Sequence, residues 1–436
     1  MSPDRTSAHE SISTIGPLDV ELAAPPSKSL TIRAMTAAAL AQGRSALRRP
    51  LFSDDTYVMA RALGGLGVEV ARRGSSMVVE GTGGRLALPE QPLDLRDAGT
   101  PLRLLVAVCC LGNGRFVVDG SARMRERPVR HLVEALQSLG VGIRSVHDDG
   151  CPPVQIDASG FPGGSLRLDG SISSQYLSAL LMAAPRGAAD LQVELTGRLV
   201  SRPYVDLTME VMRAFGARVE SDGDRFFRVV AGDVYQPRVY PIEGDASSAT
   251  YFFAAAAIAG GSVRVTGIPA ASKQGDLRFL DVIAAMGCQV TRSEDLIEVR
   301  REPDMLPVLE GFDADLSDMP DVAPTLAALA MFASGPSRLR NIAHLRHKES
   351  DRIAGMAACV RALGASAEPG DDSLLVTPPA GGASSLHGGD IRPFNDHRLA
   401  MAFALAGLRV PGVRVLDADC VAKSFPDFFV HLRSLC

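Results

Sequence analysis

The chain reads as an α/β protein made by repetition, with six α/β units arranged as three in each of two domains. Three observations lead there. At 436 residues it is too long for one core, since single cores stop growing near ~250–300 residues. Two kinds of helical segment alternate along it, each followed by a short strand pattern. Both kinds recur at intervals of 71–77 residues through the whole chain, the signature of a repeated structural unit.

The first kind is amphipathic and stops at glycine. Its members, in order, are DDTYVMARALGGLGVEV, RPVRHLVEALQSLGVGI, RPYVDLTMEVMRAFGARV, GDLRFLDVIAAMGCQV, SDRIAGMAACVRALGASAE and FPDFFVHLRSLC. In the second copy Val129, Leu132, Val133, Leu136 and Leu139 fall at i, i+3, i+4, i+7 and i+10, one apolar helical face. Gly67, Gly140, Gly216, Gly287 and Gly364 end five of the six copies. They suit the position just past a helix, where a left-handed backbone is wanted.

The second kind is Ala-rich and apolar on nearly all sides. It reads SKSLTIRAMTAAALAQGRSAL, DAGTPLRLLVAVCCLGNGRFVV, SISSQYLSALLMAAPRGAADLQV, GDASSATYFFAAAAIAGGSVRV, MPDVAPTLAALAMFASGPSRL and FNDHRLAMAFALAGLRVPGVRV, anchored at Lys28, Gly99, Ser174, Asp245, Asp321 and Asn395. A helix apolar all round is a buried helix. Cys109 and Cys110 sit inside one of them and are expected in the core.

Bulk composition narrows the function. With 46% hydrophobic and 22% charged residues the chain is ordinary globular material. Its net charge of −5 argues against nucleic acid or an anionic membrane as partner, and 5% aromatics with no Trp argue against base stacking. Seven cysteines without a C-x-x-C suggest neither a disulfide framework nor a zinc site, and fit a cytoplasmic protein. MSPDRTSAHESISTIG, broken by Asp4, Arg5 and Glu10, has no signal-peptide apolar region. No apolar run approaches the ~20 residues of a membrane span. His344 and His347, three apart, are too few ligands to expect a metal.

Local charge is the informative feature. Ser27, Ser29, Thr100, Ser173, Ser174, Ser247, Asp321, Asn395 and Asp396 cluster at the starts of the buried helices. N-capping accounts for part of this, at about 0.5–2 kcal/mol each. It does not account for Lys28, Arg33, Arg103 and Arg398 beside them, or for Arg123, Arg125, Arg127, Arg202, Lys348, Arg352 and Lys423 before the amphipathic helices. Helix N-termini carry unpaired N–H groups and partial positive charge. Flanked by Lys and Arg they make anion sites, so an acidic chain with this pattern is expected to bind a small, multiply anionic substrate.

These residues carry a resemblance. PPSKSLTIRA, SDDT, DAGTPLRLL, RMRERPVRHLVEAL, GSISSQYLSALLMAAP, SRPYVDLT, EGDASSATYFFAAAAIAGG, MPDVAPT, HKESDRI, NDHRLAMAFAL and AKSFPDFF, in this order, resemble the 5-enolpyruvylshikimate-3-phosphate synthase family over nearly the full length. The resemblance implies a two-domain inside-out α/β barrel, the enolpyruvyl transferase fold, each domain three βαβαββ units. One domain would span 27–243 and the other 1–26 with 244–436, hinged near 26 and 243 and closing over substrates. The implied reaction moves the enolpyruvyl group of phosphoenolpyruvate to the 5-hydroxyl of shikimate 3-phosphate and releases phosphate, through a tetrahedral intermediate. It needs no metal or cofactor; a monomer is expected.

By the same resemblance Lys28 would contact both substrates, and Ser29 and Arg33 would hold shikimate 3-phosphate. Ser173, Ser174 and Ser201 would grip its phosphate, with Gln175 between the substrates. Arg127, Arg352, Arg398 and Lys423, with the Gly99 backbone, would hold phosphoenolpyruvate. Asp321 would be the base at the target hydroxyl and Glu349 the proton donor to the methylene carbon, with Lys348 on the shikimate side. Tyr204 and His397 match further pocket positions. Three residues depart from the family pattern, which usually has Asn at the places of Asp97, His344 and Ile32. A carboxylate at 97 would oppose an anion unless it caps Thr100 or pairs with a cation. An enolpyruvyl transferase with a different acceptor in a specialised pathway is the alternative. Gly99 adds no methyl, which implies inhibition by glyphosate. The related transferases that use UDP-N-acetylglucosamine usually carry a reactive Cys in the loop that here reads LGNGRFVVDGSARMRERP and has none. A non-catalytic anion-binding relative would be expected to lose the acid/base pair, and Asp321 and Glu349 are both present.

Overall fold

A computed structural model of the chain describes residues 9–302 and 309–435. The residues read above as free of a signal segment therefore lie partly outside the described ones, as does Cys436. The chain divides into two compact units, Pro26–Glu243 and Met1–Pro25 with Gly244–Cys436.

In the 26–243 unit the helices are α1 Lys28–Leu40, α2 Asp54–Gly65, α3 Gly99–Cys109, α4 Arg130–Ser138, α5 Ser174–Ala183 and α6 Arg202–Ala214. In the other unit they are α7 Ala246–Ala259, α8 Phe279–Ala285, α9 Ala323–Ala330, α10 Arg352–Ala362, α11 His397–Ala404 and α12 Phe428–Arg433. Odd-numbered helices are the Ala-rich kind and are buried almost throughout; in α7 every residue is buried. Even-numbered helices show one buried face, and the five terminating glycines all have positive φ, from 85° to 104°. Cys109 and Cys110 are wholly buried.

Each unit contains three small sheets built to one plan. A leading strand runs parallel to the next strand, which pairs antiparallel with the last strand of a hairpin. Leu93–Asp94 lies parallel to the end of Asn113–Asp119, and Gly164–Asp169 to Leu191–Thr196. The first sheet takes its leading strand from the far end of the unit, Val239–Pro241 against 46–48. In the other unit Leu18–Ala23 leads, parallel to Gly261–Thr266, and Asp313–Asp315 leads the next sheet. The sixth sheet has three described strands, with Glu10–Ser11 antiparallel to 414–415. The plan is a βαβαββ repeat with two strands exchanged along the chain.

The sheets alternate buried and exposed residues while the odd helices are dry, so helices fill the centre and sheets face water on one side. Among the described strands no ladder joins one sheet to another, so the barrel is not a closed hydrogen-bonded one. Alanine suits the centre because it lets other elements approach closely. Gly81 shows how closely, since a Cβ there would lie 2.2 Å from the carbonyl oxygens of Ala38 and Ala41 at the end of α1. Two helices start later than their sequence patterns. Pro320 and Pro324 give a 3₁₀ turn, Pro320–Val322, before α9, and Gly275–Arg278 is 3₁₀ before α8.

Candidate active site

In the 26–243 unit the candidate residues sit at or beside helix starts. Ser27 caps α1, accepting from Leu30 N, and Lys28 opens the helix with its Nζ 2.9 Å from Asp55 at the start of α2. Arg33, one turn on, donates to the Ser29 carbonyl, the Thr208 hydroxyl and the Tyr204 carbonyl, tying α1 to α6. Burial lowers its pKa to about 10, with Tyr204 acting weakly the other way. Ser201 stands at the N-cap position of α6, without a side-chain capping bond, in a left-handed conformation, φ 55°, a strained backbone for serine.

A second group brings α3 and α5 together. Ser173 caps α5, and Gln175 Nε2 donates to Thr100 Oγ1 at 3.1 Å across to the start of α3. Ser174 is buried beside it. Gly99 opens α3 against the buried guanidinium of Arg127, whose Nη2 would be 2.8 Å from a Cβ at 99. Arg103 is fixed by the Gly99 and Pro128 carbonyls and the Met124 sulfur. Asp97 Oδ1 accepts a short hydrogen bond from Ser121. Ser121 in turn receives Met124 N, so the carboxylate ties its loop to the turn that leads into Arg127.

In the 244–436 unit the candidates form one ionic cluster. Arg352 opens α10, wholly buried, and donates to Asp321 at 3.0 Å, Glu349 at 2.8 Å and Asp396 at 2.8 Å. Arg398, from the first turn of α11, takes the other Asp321 oxygen at 2.7 Å. Lys423 Nζ lies 3.9 Å from Glu349. Asp396 caps α11 by accepting from Arg398 N, and also receives Ser350 Oγ. Burial would raise the Asp321 carboxyl, but Arg398, Arg352 and Lys348 outweigh it and hold it well below the usual carboxylate range. Burial first, and Lys348 second, push His344 down to about 3, so its imidazole is neutral at physiological pH. Buried His397 follows Asp396, 3.9 Å away. Asp351 caps α10 by accepting from Ala354 N, and also accepts from Arg346 Nη1 at 2.9 Å.

Sequence reasoning missed three acids. Asp55 was legible only as part of SDDT, and Asp396 only as a cap. Asp276 lies in a segment read as a helix start, with no signal marking it; it is buried and bonded to Ser247 at the start of α7. Among the described residues no three His, Cys, Asp or Glu side chains group to hold a metal ion, and no helix is long and apolar enough to cross a membrane. A hollow of about 870 Å³ between α4 and the 164–229 sheet is lined by none of the candidate residues.

Comparison with known proteins gives the family. The family model described as EPSP synthase (3-phosphoshikimate 1-carboxyvinyltransferase) matches residues 12–432. A 3-phosphoshikimate 1-carboxyvinyltransferase of Methanospirillum hungatei is 44% identical over 427 residues, 97% of each chain. One from Yersinia pestis is 45% identical over 416 residues, 94% of this chain and 95% of that one. Among solved structures, EPSP synthase from Acinetobacter baumannii superposes with TM-score 0.80 at 25% identity, covering 98% of both chains. The enolpyruvyl transferase NikO from Streptomyces tendae shares the fold, with TM-score 0.77 at 20% identity over 98% of this chain and 96% of that one. The chain belongs to the EPSP synthase (3-phosphoshikimate 1-carboxyvinyltransferase) family.

Proposed function

We propose that the protein transfers the enolpyruvyl group of phosphoenolpyruvate to the 5-hydroxyl of shikimate 3-phosphate, releasing phosphate. The observation that carries the reading is the placement of Asp321 between Arg352 and Arg398, with Glu349 on the far side of Arg352. Two acids separated by fixed cations suit addition and then elimination. Asp321 takes the hydroxyl proton as that oxygen attacks C2 of phosphoenolpyruvate. Glu349 gives a proton to C3, making a methyl group. Elimination then returns one C3 proton to Glu349 and expels phosphate, which leaves with the proton that Asp321 had taken.

The same contacts suggest how binding is joined to base strength. A carboxylate gripped by two arginines is a weak base. When the phosphoenolpyruvate anion takes Arg352 and Arg398 for itself, Asp321 loses part of that stabilisation and becomes a better proton acceptor. In this assignment Lys423 and Arg127, with the Gly99 backbone, share the phosphoenolpyruvate charge. Lys28 touches both reactants, and Gln175 lies between them. Ser29, Arg33, Ser173, Ser174, Ser201, His344 and Lys348 take the shikimate side.

Phosphate release measured with phosphoenolpyruvate and shikimate 3-phosphate tests the reading. Turnover with that pair supports it. Turnover only with a shikimate analogue, reading back to His344 and Asp97, would move the assignment to another acceptor. Binding of phosphoenolpyruvate with no phosphate release from any acceptor would leave an anion-binding relative.

A further inference from the structure

We propose that Tyr251 is a positioning residue for Arg398: its buried hydroxyl, unmatched in the free protein, accepts from the guanidinium once an anionic ligand draws Arg398 off Asp321. The inference rests on the function proposed above.

Three tyrosines are equally buried, Tyr176, Tyr235 and Tyr251, each 1% exposed. A buried phenol normally finds a hydrogen-bond partner. Tyr176 donates to the Pro128 carbonyl at 2.7 Å, and Tyr235 to the Met182 carbonyl at 2.9 Å. The Tyr251 hydroxyl is the exception: it is buried without a well-directed hydrogen bond to any described group. Thr250 beside it turns its own hydroxyl onto the Ser247 carbonyl, so α7 satisfies a hydroxyl where a partner is in reach.

The exception stands beside the ionic cluster. α7 packs on the 320–322 turn that carries Asp321, and the charges acting on the Tyr251 hydroxyl are Arg398 first, then Arg352 and Asp321. Burial pushes the phenol up to about 12, so it faces the cluster as a neutral group. Phe428 of α12 meets the ring edge-on, with centroids 5.5 Å apart at 74°, and is itself packed edge-on against Phe425 and Phe429. A ring clamped in this way cannot swing its hydroxyl toward a new partner, so the partner has to come to it. Arg398 is the group that can. Its Nη2 donates to the Asp321 carboxylate at 2.7 Å, while its Nη1 reaches the Asp321 carbonyl only at 3.4 Å, near the limit of a hydrogen bond. An anion competing with the carboxylate for Nη2 lets the guanidinium turn, and the phenol oxygen fixes it once turned. A hydroxyl that costs the free protein stability thereby contributes to binding.

Tyr251→Phe removes the hydroxyl and keeps the packed ring, and two readouts on the intact protein test it. The melting temperature of the free variant should equal or exceed that of the wild type, because an unmatched buried hydroxyl is gone. The phosphoenolpyruvate dissociation constant, measured by calorimetry without an acceptor, should rise at least ~5-fold for the lost bond to a charged group. A merely structural tyrosine would give the reverse, a lower melting temperature with unchanged affinity. In an Arg398→Lys background, which keeps the charge and loses the fork, Tyr251→Phe should change that constant by less than ~2-fold. A fall of several degrees in the free variant shows a hydroxyl already partnered, and overturns the proposal. Undiminished affinity in Tyr251→Phe overturns it too, and leaves the function assigned to the site standing. A full effect in the Arg398→Lys background makes the phenol a direct ligand contact and overturns its role toward Arg398. Phosphoenolpyruvate that binds not even the wild type overturns the function assigned to the site, and this role with it.

Discussion

Arg33 in α1 and Arg352 in α10 are almost equally buried, at 2% and 1% exposed, yet their charges are treated in opposite ways. Arg33 donates to a hydroxyl and two carbonyls, all uncharged, and burial drags its pKa down to about 10. Arg352 donates to three carboxylates; burial works against it too, but Asp396, Glu349 and Asp321 more than compensate and hold it above the ordinary arginine range. Arg33 offers a charge balanced by dipoles alone, which an incoming anion can match at little cost to the protein. Arg352 is a charge already answered, and a ligand must take it from other groups. The first arrangement favours tight static binding. The second lets binding alter the protonation of neighbouring acids, as a site of proton transfer requires.

The largest effects belong to the acids around Arg352. Asp321→Asn and Glu349→Gln should each lower kcat by roughly 10²–10⁴-fold, the span of general acid–base catalysis. Glu349→Gln should leave phosphoenolpyruvate binding, followed by thermal protection, largely intact. Near-normal turnover in either variant would remove that acid from the mechanism.

Next comes Arg352→Met, which strands the buried Asp396 carboxylate and removes a partner from the half-buried Asp321 and Glu349. Breaking a buried ion pair from one side costs about 3–5 kcal/mol, or roughly 6–20 °C in a melting scan at this size. Arg33→Met strands only neutral acceptors and relieves an unanswered buried charge, so its cost should stay within about 2 kcal/mol. Its shikimate 3-phosphate affinity should nevertheless fall about 10–100-fold, the worth of a lost charge-assisted bond. Equal melting losses in the two variants would dissolve the distinction.

A smaller effect is expected at Gly99. A Cβ there would lie 2.8 Å from the Arg127 guanidinium, so Gly99→Ala must displace that side chain. KM for phosphoenolpyruvate should rise about tenfold, near 1.4 kcal/mol, with the melting temperature unchanged. An unchanged KM would show that Arg127 reaches its ligand from another side.

The smallest concerns acid. The folded Asp321 pKa is depressed, so its stabilising contribution is present above the unfolded value of 3.8 and fades as pH falls toward the folded one. The melting difference between wild type and Asp321→Asn should hold steady above about pH 5 and shrink below pH 4. A difference that shrinks instead toward alkaline pH would reverse the assignment.

Much of this could be read along the chain. Periodicity picked out all twelve helices, because a helix apolar on every side and a helix with one apolar face leave different patterns. The glycine stops proved to be left-handed residues, since only glycine takes that backbone without strain. Arg352, Arg398 and Asp321 stood out because each lies at or just before the start of a repeat helix, whereas Glu349 entered only through the family resemblance. Asp97 could be flagged as a misplaced charge, but its bond to Ser121 could not, since Ser121 sits 24 residues away with only a turn to suggest its direction.

The repeat, the buried and half-buried helices, and the concentration of charge at their N-termini were all present in the order of residues, because they follow from local periodicity and backbone chemistry. Pairing came only with packing. That Val239–Pro241 leads the first sheet and Leu18–Ala23 the fourth, that Asp55 faces Lys28, and that Asp276 bonds to Ser247 are contacts between distant segments. Burial and neighbouring charge, which set whether an acid keeps its proton, exist only once those segments have packed.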